Sequence, residues 1–147
     1  MAEPLPRRAF AAGIAARVLL TSVSFAQSRE TYKLRLSPVS MDAAMKVNIA
    51  GSGSGSAVLT GNKLTVNATF DGLLSPATTA QIHRGSATGV RGPVILDLKV
   101  SSALSGSVTG TFDLAADQLE SLRKGRLYVQ IASEKAPDGN LWGWLLQ

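Results

Sequence analysis

An all-β fold, an antiparallel sandwich or barrel carrying one short helix, is predicted by three features of this 147-residue chain. Apolar and polar residues alternate with a period of two in several stretches, as in strands that bury one face. Gly, Pro, Asn and Asp punctuate the remaining apolar runs at the spacing of hairpin turns. A single segment has helical apolar spacing, and one short helix cannot supply the crossovers of a parallel sheet.

The first strand is expected at 32–36, where Tyr32, Leu34 and Leu36 alternate with Lys33 and Arg35. Residues 44–49 continue in the same way, with Met45, Val47 and Ile49 on one face. Gly51-Ser52-Gly53-Ser54-Gly55-Ser56 is the one low-complexity stretch. Neither side of it is long enough to bury an independent core, so it reads as a mobile turn within one domain. Leu64, Val66, Ala68 and Phe70 then alternate with Lys63, Thr65, Asn67 and Thr69, the clearest strand in the chain, closed by Asp71-Gly72. Further strands are expected at 79–83, 94–100, 107–112, 127–132 and 141–146. The helix falls at 115–124: Asp113 offers a cap, Leu119 and Leu122 share a face with Ala115, and Gly125 supplies a stop.

Residues 1–26 have the pattern of an export signal, and residues 27–147 form the single mature domain. Arg7 and Arg8 make a positive start, an Ala-rich stretch follows, and Ser24-Phe25-Ala26 ends it with small residues where a signal peptidase reads. A buried N-terminal helix is the alternative, and Arg17 inside the stretch counts against a membrane span. Arg7-Arg8-Ala9-Phe10 resembles a twin-arginine signal; the ordinary secretory route remains open beside it. The expected location is periplasmic or secreted, with no transmembrane segment after cleavage. Without the leader the net charge falls from +5 to +3. The basic residues are scattered rather than drawn into a stripe interleaved with aromatics, which disfavours nucleic acid as a partner.

There is no cysteine and one histidine. Disulfide frameworks, thiolate metal sites and thiol nucleophiles are therefore excluded. His83, with Gln81 on the same strand face, is the one candidate for a weak metal site or a lone base. No carboxylate lies at a local ligand spacing, so a hydrogen-bonded structural role is favoured, and no metal or cofactor is assigned. No serine sits in a Gly-x-Ser-x-Gly elbow, and no glycine run has the form of a phosphate or dinucleotide loop. Nothing marks an enzyme, and no catalytic residue is assigned. Trp142 and Trp144, the only tryptophans, fall on one face of the last strand, while Leu141 and Leu145 take the other. The pair is either core or an adhesive outward patch. The outward reading makes Trp142 and Trp144 the candidate partner-binding residues, since indoles are enriched at interface hot spots.

Residues 79–89, Thr79-Ala80-Gln81-Ile82-His83-Arg84-Gly85-Ser86-Ala87-Thr88-Gly89, followed by Gly92-Pro93-Val94, resemble the central motif of CHRD domains, the modules named after chordin. Leu119, Leu122, Gly125, Leu127-Tyr128-Val129 and Pro137-x-Gly139-x-Leu141-x-Gly143 resemble the family's C-terminal half in order and spacing. The resemblance runs over 32–147 and implies an antiparallel Greek-key β-sandwich. It also shows departures. Gln81-Ile82-His83 stands where the family usually has His-x-His, and Gln130-Ile131-Ala132 where it has Asn-x-His. Asn140-Leu141-Trp142-Gly143-Trp144 replaces Glu-x-Arg-x-Gln. Two functions fit. The first is an exported non-catalytic module, an accessory subunit docking on another exported protein, such as a cofactor-containing enzyme subunit. The alternative is a stand-alone periplasmic ligand or metal binder using the His83 region.

Overall fold

The computed structural model describes residues 28–147; the leader assigned at 1–26 lies outside the described residues. Eight antiparallel strands close into a barrel in the order β1-β2-β3-β6-β5-β4-β7-β8. They are β1 (Arg29–Pro38), β2 (Ser52–Thr60), β3 (Lys63–Asp71), β4 (Ala77–Arg84), β5 (Val94–Val100), β6 (Gly106–Asp113), β7 (Leu127–Ser133) and β8 (Ala136–Trp144), with helix α1 (Ala116–Arg123) between β6 and β7.

The barrel corrects the expected Greek-key sandwich. Two four-stranded sheets are present, but neither keeps a free edge. β5 meets β6 through Lys99↔Thr109 and Val100↔Val108. β1 meets β8 through Ser37↔Trp142 and Pro38↔Leu141, and again through the bridge Lys33↔Leu146. Closing both seams pairs backbone groups that a sandwich would leave at its edges.

Inside, the alternation works as expected. Leu34 and Leu36, Leu64, Val66 and Phe70, Ile82, Val129 and Ile131, and Leu141 and Leu145 all belong to one buried core, joined by Leu122 of α1. Burial of each such side chain contributes about 1.5–3 kcal/mol. The glycine-serine run departs from expectation: it is the first half of β2, not a mobile turn. Gly53 stands opposite Leu36 on β1 and Phe70 on β3, and Gly55 opposite Leu34 and Ala68. The glycines thus form the inward face of the strand and leave room for their large neighbours. A Cβ on Gly55 would lie 2.2 Å from the Asn67 carbonyl oxygen. The serines form the outward face.

The strand expected at 44–49 is also replaced. Met45–Val47 is a 3₁₀ turn, opened by the Met45 N–H donating to the Asp42 carboxylate at 2.9 Å. Both edges of β1 are already taken by β2 and β8, so this alternating segment has no strand to pair with. It folds over the barrel instead, where Val39, Ile49 and Ala136 form a small satellite core with Met41, Met45 and Trp142. The helix stands as expected except at its start. Asp113 ends β6, and the Ala115 N–H donates to the Gln118 side chain at 3.0 Å. At its end Gly125 has φ +69°, with its N–H on the Leu122 carbonyl and that of Arg126 on the Ser121 carbonyl, a Schellman stop.

Tyr32 is buried, and its hydroxyl donates to Glu30 at 2.8 Å. Burial first, then the Glu30 carboxylate, pushes its pKa up to about 12. The folded state therefore holds this proton more tightly than the unfolded chain, whose tyrosine titrates near 10. The resulting stabilisation is complete below pH 10 and is lost as pH rises through 12. Urea unfolding at pH 9 and pH 11.5 should show a loss in the wild type, approaching about 2–3 kcal/mol at full titration, that Tyr32→Phe lacks. Equal losses in the two proteins would contradict the assignment.

Candidate functional site

The outer face of β4, β7 and β8 gathers residues that lie far apart in sequence. Inward-facing Ile82, Val129 and Gly143 alternate with outward-facing neighbours. The register places His83 opposite Tyr128 and Tyr128 opposite Trp144, making one rank across three strands. Gln81, Gln130 and Trp142 make the next rank. His83 stacks on Tyr128 with ring centroids 4.9 Å apart and planes 17° from parallel. Trp144 lies 4.5 Å from Tyr128 and Trp142 5.7 Å from it, and the two indoles meet edge-on at 5.9 Å. Such pairs contribute about 0.5–1.5 kcal/mol each beyond the area they bury.

The loop at 85–93, between β4 and β5, folds back onto this cluster through Gly92. The Gly92 N–H donates to the Tyr128 hydroxyl at 3.0 Å, and the hydroxyl donates to the Gly92 carbonyl at 3.2 Å. His83 Nδ1 lies 2.9 Å from the same carbonyl. A carbonyl only accepts, so Nδ1 carries a proton and donates to it. Nε2 is buried and has no hydrogen-bond partner among the described residues. Only glycine fits at 92, because a Cβ there would lie 1.7 Å from the Arg84 carbonyl oxygen. Arg91 next to it stands over the Trp142 ring, its guanidinium carbon 5.5 Å from the centroid.

Trp142 and Trp144 accordingly lie outside the barrel, each half-buried. Trp142 leans on the satellite core, and Trp144 approaches Gly85, where an added Cβ would sit 3.0 Å from the indole. Their other flank borders a groove of about 530 Å³ running along β1, lined by Lys33, Arg35, Ser37, Ser54 and Gly55 opposite the indoles. The remaining sequence candidates do not converge. Gln81 turns to Asp97, donating at 2.9 Å, while His83 is held by Gly92. Among the described residues no three His, Asp or Glu side chains come close enough to hold a metal ion.

Sequence reasoning did not single out Tyr128, Arg91 or Gly92 as parts of this face. The alternation of Leu127, Val129 and Ile131 already points Tyr128 outward. Its meeting with His83 and Trp144 depends on register, which sequence spacing within one strand does not carry. The register also unites positions at which this chain departs from the CHRD pattern. Gln81, Gln130, Trp142 and Trp144 all lie in the two ranks just described.

The family model described as CHRD domain matches residues 36–145, about three quarters of the chain. No curated protein and no solved structure matches it. The matched span runs from the last three residues of β1 to the residue after β8, so it takes in all or part of every strand of the barrel together with the outer aromatic face. This chain belongs to the CHRD domain family.

Proposed function

We propose that this CHRD chain is an exported, non-catalytic binding module that docks on another exported protein through the outer face of β8, as an accessory subunit. The carrying observation is the pair Trp142 and Trp144, which stand outside the closed barrel on an aromatic base of Tyr128 and His83. Trp142 covers the satellite core, but the main core inside the barrel includes neither indole, and both rings keep surface open to solvent. Half-exposed aromatic rings on a rigid base lose little side-chain entropy when a partner covers them. The polar groups implied by the family pattern at these positions have become indoles, a change that suits adhesion rather than proton transfer.

The alternative reading, a ligand or metal binder at His83, draws on the unpartnered Nε2. That nitrogen is buried, Nδ1 is held by Gly92, and Gln81 is turned to Asp97, so the docking face is the better supported reading.

The double variant Trp142→Arg, Trp144→Gln restores the residue types of the family pattern and should keep the barrel folded. Each indole contributes ~2 kcal/mol as a hot spot, about thirtyfold in affinity. The tagged variant should therefore lose the exported protein that the tagged wild type retains from its native host, with an unchanged circular dichroism spectrum. Full retention by a folded variant would contradict the docking face.

A further inference from the structure

We infer that the groove between the two indoles and β2 seats an extended acidic segment of the protein partner, with carboxylates on alternate residues meeting Lys33 and Arg35. The inference rests on the docking reading above and specifies the chemistry of the partner.

Tyr32, Leu34 and Leu36 face the core, so Lys33, Arg35 and Ser37 all project outward from β1. Lys33 and Arg35 are two residues apart on one strand face, about 6.6 Å by the rise of a strand. Alternate residues of an extended polypeptide have the same separation. The groove between Lys33 and Ser37 is about 13 Å long on that rise, the length of a short extended segment. Its lining includes both cations and no carboxylate. Three cations elsewhere on the barrel are paired within the chain, Arg84 with Asp117, Arg123 with Glu30, and Lys124 with Glu120, while others, Lys63 and Lys99 among them, form no ion pair among the described residues. Lys33 and Arg35 form no ion pair among the described residues. The walls complete the recognition. Trp142 and Trp144 offer apolar ring surface on one side, Ser54 a hydroxyl and Gly55 bare backbone on the other, and exposed Leu146 an apolar contact beside them. A highly charged polyanion would need cations but no indole wall. An acidic segment that also carries apolar side chains uses both.

The two indoles are the only tryptophans of the chain, so its intrinsic tryptophan fluorescence reports directly on this groove. The probe is a nine-residue peptide with glutamate at every second position and threonine or valine between, titrated into the mature chain. A saturable fluorescence change is expected. Lys33→Glu with Arg35→Glu should weaken binding at least tenfold without moving the unfolding midpoint, since both side chains are exposed. The pair Lys33→Ser and Arg35→Ser should weaken it in the same direction, which guards against any effect of charge reversal on folding. No saturable change, equal binding of a peptide with lysine in place of glutamate, or unchanged affinity in both double variants would overturn the proposal. Displacement of the peptide by polygalacturonate at lower concentration would overturn it in favour of an acidic polysaccharide. Retention of the native partner by the Lys33→Glu, Arg35→Glu chain, alongside its loss in Trp142→Arg, Trp144→Gln, would end the acidic-segment proposal and leave the docking face standing.

Discussion

Phe70→Ala should lower the unfolding free energy by about 3–5 kcal/mol, the range for deleting a buried aromatic ring. The ring is 3 % exposed and belongs to the main core. Its register neighbours are Gly53 on β2 and Gly106 on β6. A deleted side chain costs least where neighbouring side chains can move into the space. Here both lateral neighbours are glycines and have no side chain to move, so the cavity persists and the loss should fall toward the upper end. Urea unfolding with an unchanged slope checks it. A loss under about 1 kcal/mol would place the ring outside the core.

Gly55→Val should cost about 3 kcal/mol, at the high end for overpacking. The added Cβ would lie 2.2 Å from the Asn67 carbonyl oxygen and 2.5 Å from both Cα and Cβ of Ala68. These are atoms of β3, which is pinned between β2 and β6 along nearly its whole length, so the backbone cannot withdraw. Ser54→Val next to it points outward and should change stability by no more than about 0.5 kcal/mol. The contrast within one dipeptide separates a strand from a mobile turn, in which both substitutions would be tolerated.

That run shows where the sequence was legible and where it was not. Strands whose inward face is Leu, Val, Ile or Phe announce themselves by alternation, as Leu64, Val66, Ala68 and Phe70 do. β2 alternates just as strictly in its first half, but its inward residues are glycines. Only the register with Leu34, Leu36 and Phe70 gives them a reason, and that register is a property of the closed barrel. The segment at 44–49 fails in the opposite sense. Its apolar alternation is genuine, but β2 and β8 already hold both edges of β1, so Ile49 and Met45 pack beneath Trp142 instead. The choice of barrel over sandwich turns on short seams: two residue pairs between β5 and β6, and two pairs and a bridge between β1 and β8. No local pattern encodes the β1–β8 seam, so small and so distant in sequence, and the hairpin pairs that join β5 to β6 close the barrel only when that seam also forms. At the candidate site, the shared face of Trp142 and Trp144 was readable from their two-residue step. Their base on Tyr128 and His83, and the Gly92 clamp above it, required three strands in register.

Site-specific photo-crosslinking in the native host tests the docking face most directly. A photoreactive side chain at Ser37 stands beside Trp142 at the edge of the groove, and one at Thr109 stands exposed on β6, four strands around the barrel from β8. Both positions are outward, so neither disturbs the core. Docking through β8 requires that the chain carrying the group at Ser37 form a discrete adduct with an exported protein, and that the chain carrying it at Thr109 form none. The same adduct from Thr109 as from Ser37, or an adduct from Thr109 alone, would contradict it.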